Sequence, residues 1–140
     1  MKRIARLPTL LLLLTTIASG CEDLGPSTGG ALAGSRWRLA EWSVSSLQPS
    51  DFTITATFDD SGIGGTSAVN TYRGTYSGSN GRLSIRDISS TEIAGPEPAM
   101  RAERIYMQLL RDARMFDRSA ESLVLKGEGG NELLRFTPVK

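Results

Sequence analysis

The chain has 140 residues, 39% of them hydrophobic, and its 16 basic and 15 acidic side chains leave a net charge of +1. Histidine is absent and cysteine occurs once, at Cys21, which removes the usual general base, the commonest zinc ligand, paired thiolates and intrachain disulfides. A near-neutral charge without a clustered basic run argues against nucleic acid as a partner.

Lys2, Arg3 and Arg6 precede an apolar run of eleven residues, 7–17, and Ala18-Ser19-Gly20 lead into Cys21. The run is too short to cross a hydrocarbon core of about 30 Å, which takes roughly 20 apolar residues. A removable signal peptide over residues 1–20 accounts for it. Small residues directly before the cysteine resemble a bacterial lipobox, with Ala18 where leucine is more usual. That resemblance implies a diacylglyceryl thioether on Cys21, cleavage before it and a third, palmitate-type chain on the new amino terminus. Two or more chains hold a protein to a membrane stably. Glu22 replaces the aspartate that marks inner-membrane retention, so the expected address is the outer membrane, facing the periplasm. Residues 21–34 are rich in Gly, Ser, Pro and Thr and read as a flexible tether. The thirteen residues 22–34 have a typical reach of about 20 Å.

The signal carries three basic residues and no acid, so the remaining chain, with thirteen basic and fifteen acidic residues, stands at −2. Its arginines are scattered along the sequence. Residues 35–140 suffice for one domain with a modest core, expected as a monomer.

Residues 35–44 read as the first strand. Trp37 and Leu39 share one parity and Trp42 and Val44 the other, so a bulge near Ala40-Glu41 is expected to bring both pairs to the core. In 51–58, Phe52, Ile54, Ala56 and Phe58 alternate with threonines, the pattern of a half-buried strand. Asp59-Asp60-Ser61-Gly62 makes the following turn, and 63–68 is glycine-rich and ambiguous. Residues 71–76 form a strand with Tyr72, Gly74 and Tyr76 on one face, the glycine marking a bend or a close approach. Asn80-Gly81 is a hairpin signal, from which 82–88 returns.

Pro96-Glu97-Pro98 ends the sheet and opens a helix over 98–114. Ala102, Ile105, Tyr106, Leu109, Leu110 and Ala113 form a single apolar stripe at helical period. Glu97 and Glu103 near one end, with Arg111 and Arg114 near the other, suit the helix dipole. Such a helix packs on a sheet and is not expected to span or coat a membrane. Residues 115–118, 123–126 and 132–137 read as closing strands, with Gly127-Glu128-Gly129-Gly130-Asn131 as a hairpin turn. The order is α+β, dominated by antiparallel sheet.

Several short segments in this order resemble the META domain, or HslJ-like, family. They are Trp37-Arg38-Leu39 after Gly34-Ser35, the turn Asp59-Asp60-Ser61-Gly62, and Asn70, Tyr72, Gly74 and Tyr76. Ile88-Ser89-Ser90-Thr91-Glu92, Pro96-Glu97-Pro98-Ala99-Met100, Leu123-Val124-Leu125 and Leu134-Arg135-Phe136 complete the set, which spans 34–138. The resemblance implies a curved antiparallel sheet, a half-open β-barrel, with one helix packed across it. It also implies an envelope protein, often lipid-anchored, with links to stress tolerance and no established active site. Family members commonly carry cysteines where this chain has Val69 and Gly95. Joint loss of the two suggests positions that touch, with Val69 filling the space.

Asp59, Asp60 and Ser61 lack the alternating oxygens of a calcium loop, and Gly62-Ile63-Gly64-Gly65 lacks the spacing of a phosphate loop. Glu92 and Glu97 form a conceivable glycosidase pair, and Lys126 or Lys140 a conceivable partner for a serine nucleophile. Trp37, Trp42, Tyr72 and Tyr76 suit a core better than a ligand groove. No catalytic residue, cofactor or metal is therefore expected, and the one site residue is Cys21, as the lipid attachment point. The expected function is that of a non-enzymatic, lipid-anchored envelope module that binds a protein or small ligand in envelope maintenance or stress tolerance. The alternatives are a pilotin-like secretion or assembly accessory that cradles a client in an open groove, and a carboxylate-dependent hydrolase.

Overall fold

The computed structural model describes residues 31–140; Cys21 and the signal segment lie outside them. Eight strands follow one another around a closed ring, every pairing antiparallel. They are β1 (Ser35–Trp42), β2 (Thr55–Phe58), β3 (Gly62–Thr66), β4 (Thr71–Ser79), β5 (Arg82–Ser90), β6 (Met115–Arg118), β7 (Leu123–Lys126) and β8 (Glu132–Pro138), with one helix, α1 (Glu97–Asp112), between β5 and β6. The seam between β5 and β6 is the thinnest, a single pair at Arg82 and Met115. It is where the chain leaves the sheet to make the helix, so the expected half-open sheet is closed by one narrow join. Among the described residues, no helix is long and apolar enough to cross a membrane.

Alternation along the strands puts Trp37, Leu39, Ile54, Ala56, Phe58, Tyr72 and Tyr76 inside. The register of β1 against β8 shifts between Leu39 and Glu41, the bulge its sequence calls for. Trp42 is thereby returned to the edge of the core, donating from its indole to Leu47 O at 2.8 Å. Val44 is not returned: the strand ends at Trp42, and Val44 is 63% exposed. The expected strand over 51–58 is shorter too, because a 3-10 turn at Pro49–Asp51 occupies its start. Asn80 and Gly81 both take positive φ, 51° and 75°, as a two-residue hairpin turn of the primed type requires.

The folded body begins earlier than the composition of the tether suggests. Leu32 is fully buried, and the buried Ser35 hydroxyl donates to Leu32 O at 2.5 Å while accepting from the Trp37 indole at 2.8 Å. Arg118 lies over the Trp37 ring, 5.8 Å from its centroid, and donates to Ala31 O. Leu32, flanked by Ala31 and Ala33 in a glycine-rich stretch, carries no periodicity, so only its burial identifies it as core.

Candidate functional site

The helix meets the ring in two chemically different ways. Its middle is aromatic. Tyr106, fully buried, packs edge-on to Tyr72 and Phe136, with ring centroids 5.6 Å and 6.4 Å away. Tyr72 donates its hydroxyl proton to Thr55 O at 2.9 Å, so the 2.6 Å bond between the two phenols runs from Tyr106 to Tyr72. Thr55 O is free for this because β2 and β3 part here, with Thr66 N bonded instead to Thr55 Oγ1 at 3.0 Å. A Cβ at Gly65 would lie 2.1 Å from Thr55 O, so only glycine fits that close approach. Burial drives both phenol pKa values well above their ordinary range. Neither is a base or nucleophile near neutral pH.

The amino-terminal half of α1 is seated on polar groups. Glu103 Oε2 accepts from Ser67 Oγ and Asn70 N, both at 2.8 Å, and Oε1 accepts from Asn70 Nδ2 at 2.9 Å. Asn70 Oδ1 in turn accepts from Thr91 Oγ1 and Ile93 N, both at 2.7 Å, and Nδ2 also donates to Ile93 O at 3.1 Å. One buried asparagine thus joins three chain segments: its own loop after β3, the loop after β5, and the helix. Burial pushes the Glu103 pKa up, but the donors from Asn70, Ser67 and Val69 N prevail and hold it below the usual carboxylate range. Every polar atom of this cluster that is buried is satisfied. It is a clasp between loops and helix.

Beside the clasp, a Cβ built on Gly95 would sit 2.8 Å from Val69 Cγ2 and 3.5 Å from Val69 Cβ. The two positions do touch, and Val69 fills the space. At Gly74, a Cβ would lie 2.9 Å from Arg86 O, the close approach expected between the two tyrosines.

The other candidates take structural places. Asp59 Oδ1 accepts from Ser61 N at 3.1 Å and Gly62 N at 2.5 Å; those two amides, the Gly62 bond foremost, lower its pKa despite full exposure. It is the cap of the β2–β3 turn. Glu92 is exposed on the loop after β5, while Glu97 is paired with Arg104 at 3.0 Å. Lys126 is paired with Asp117. Among the described residues, no group of three potential ligands from His, Cys, Asp or Glu is placed to hold a metal.

On the outer face of β2 to β5 lies a shallow groove of ≈ 670 Å³, lined among others by Thr57, Gly64, Thr66, Arg73, Ser89 and Thr91. Its chemistry is hydroxyl-rich, with the Arg73 guanidinium and the Asp59 carboxylate also on its lining. The sequence reading did not find this groove, because its floor consists of small residues spread over four strands. It also missed the role of Glu103, which looks like any acid in the amino-terminal half of a helix. The available signal was its place at the edge of the apolar stripe, next to Ala102 and three residues before Tyr106.

The META domain family model matches residues 30–140. A solved structure of a protein from Burkholderia xenovorans is similar at 24% identity and a TM-score of 0.66, covering 78% of this chain and 84% of its own. A DUF4847 family protein from Bacteroides vulgatus ATCC 8482 is similar at 14% identity and a TM-score of 0.59, covering 76% of this chain and 94% of its own. At these identities the likeness is one of fold. No curated protein matches.

Proposed function

We propose that this chain, which belongs to the META domain family, is a non-enzymatic binding module tethered by lipid on Cys21 to the bacterial outer membrane, where it serves envelope maintenance or stress tolerance. The observation that carries the reading is the lone cysteine closing a short apolar run, set ahead of a β-rich body. Tyr106, Phe58, Phe136 and several leucines fill the interior of the ring. A cradle for a client segment inside the ring, as a pilotin-like accessory needs, finds no room there. Binding is therefore assigned to the outside, with the hydroxyl-lined groove as one surface for a small polar ligand. The absence of histidine and the exposed, paired or capping places of the acids support a role without catalysis.

The test is co-purification of the full-length gene product from membranes, with intact-mass analysis. The reading expects a mature chain starting at Cys21, heavier by a diacylglyceryl group and a further acyl chain, retained in the outer-membrane fraction. A soluble product with a free Cys21 thiol contradicts it.

A further inference from the structure

We infer that Asn80 is a self-modifying site: its carboxamide closes on Gly81 N, the ring reopens in water, and the isoaspartate so formed unlatches the seam between β5 and β6.

The chain has three asparagines, and they stand in contrasting places. Asn70 is buried in the clasp with both atoms of its amide bonded, and the next amide, Thr71 N, donates to Thr91 Oγ1 at 3.2 Å. Asn131 is followed by Glu132, and its Oδ1 lies over Gly127, 2.8 Å from where a Cβ there would be. Asn80 is exposed at the tip of the β4–β5 hairpin. Among the described residues, neither its carboxamide nor Gly81 N makes a hydrogen bond. Gly81 has no Cβ to obstruct the approach of the two groups, and asparagine is a thermolabile residue. Electrophile and nucleophile are thus adjacent, solvated and unheld at Asn80, and held or crowded at the other two.

The chemistry needs only water. Gly81 N attacks Asn80 Cγ; the N–Cγ bond forms, the Cγ–Nδ2 bond breaks, and ammonia leaves with the proton of Gly81 N. Hydroxide speeds the step by withdrawing that proton. Water then opens the cyclic imide. Opening at Cγ leaves aspartate at position 80 on an ordinary peptide bond. Opening at the main-chain carbonyl carbon leaves Gly81 N joined through Cγ and Cβ, an isoaspartate, whose main chain is longer by one carbon.

The seam gives the two products different consequences. Asn80 and Gly81 turn the chain between the paired Ser79 and Arg82 with φ of 51° and 75°. Asp-Gly suits the same primed turn, so aspartate leaves it in place. An added main-chain carbon directly ahead of Gly81 does not fit a two-residue turn. Gly81 O accepts from Phe116 N at 2.9 Å, and Leu83 N donates to Arg114 O at 2.9 Å, on either side of the single pair Arg82 and Met115 that joins β5 to β6. Displacing Gly81 therefore takes the acceptor from Phe116 N at the thinnest join of the ring. The hairpin tip is a slow, irreversible release for that join.

The experiment is prolonged warm incubation of the full chain at neutral and mildly alkaline pH, beside a urea-denatured sample. Peptide mapping by mass spectrometry and labelling with an isoaspartate-specific methyltransferase read the products. The expected result is conversion of Asn80 to aspartate and isoaspartate, faster at the higher pH, with Asn70 and Asn131 intact in the folded chain. In the separated isoaspartate fraction, the Phe116 and Leu83 amides are expected to exchange hydrogen about tenfold faster than in fresh protein. N80D, which has the charge without the added carbon, is expected to exchange like fresh protein. Asn80 still intact when the denatured sample has converted overturns the proposal, as does equal conversion of Asn70 or Asn131. Isoaspartate at 80 with unchanged exchange at Phe116, or N80D exchanging as fast as the isoaspartate form, overturns the unlatching.

Discussion

The two seats of α1 do different work. Around Tyr106 the contacts are aromatic and non-directional, and they give area, at about 25 cal/mol per Å² of apolar surface removed from water. Around Glu103 they are directional, each donor matched to one lone pair. An apolar stripe alone tolerates sliding and rotation of a helix across a sheet. A carboxylate that must meet three donors from one loop does not. Apolar burial holds the helix on the ring, and the polar clasp fixes its position.

Breaking the clasp therefore carries the largest effect. Asn70→Ala takes a donor from Glu103 and an acceptor from both Thr91 and Ile93 N. It is expected to cost about 3–4 kcal/mol in urea unfolding. A cost below about 1 kcal/mol contradicts the clasp. Reinforcing the same corner gives the next effect. With Cβ atoms 3.5 Å apart at 69 and 95, V69C/G95C meets the geometry of a disulfide. The oxidised variant is expected to gain about 2–4 kcal/mol over its reduced form. Ellman titration and paired melts check it.

In the aromatic seat the effects are smaller and asymmetric. Tyr72→Phe strands Thr55 O and the Tyr106 proton, and is expected to cost about 2 kcal/mol. Tyr106→Phe leaves Tyr72 bonded to Thr55 O and is expected to cost about 1 kcal/mol. Equal costs contradict the assigned direction of the bond.

How much of this was legible follows from the same contrast. Period-two alternation around Ile54 and Phe58, the Asn80-Gly81 turn and the stripe from Ala102 to Ala113 are repeated local signals, and each element formed close to where its pattern lies. Leu32, Glu103 and the outward ending of β1 at Val44 carry no periodic signal. The role of Glu103 depends on partners 33 and 36 residues away, that of Leu32 on burial by the rest of the fold and that of Val44 on where a strand stops, and single residues do not encode that. The contact between Val69 and Gly95 was readable only from two coupled departures from the family pattern.

A pH profile gives the finest resolution. The pKa of Glu103 is lower in the folded chain than in the unfolded one, so its ionisation stabilises the fold above the unfolded carboxylate range, near 4.3. That contribution is lost as pH falls through the depressed folded value. Glu103→Gln is expected to flatten the acid limb of the stability curve, leaving the limb due to Asp59.

The claim that a directional clasp sets the helix is tested most directly by a double-mutant cycle on Asn70 and Glu103, followed by urea unfolding of wild type, N70A, E103A and N70A/E103A. The account predicts that the two losses overlap, with a coupling of about 2 kcal/mol. Additive losses, within about 0.5 kcal/mol, would mean that the two residues act independently and that the aromatic seat alone places the helix.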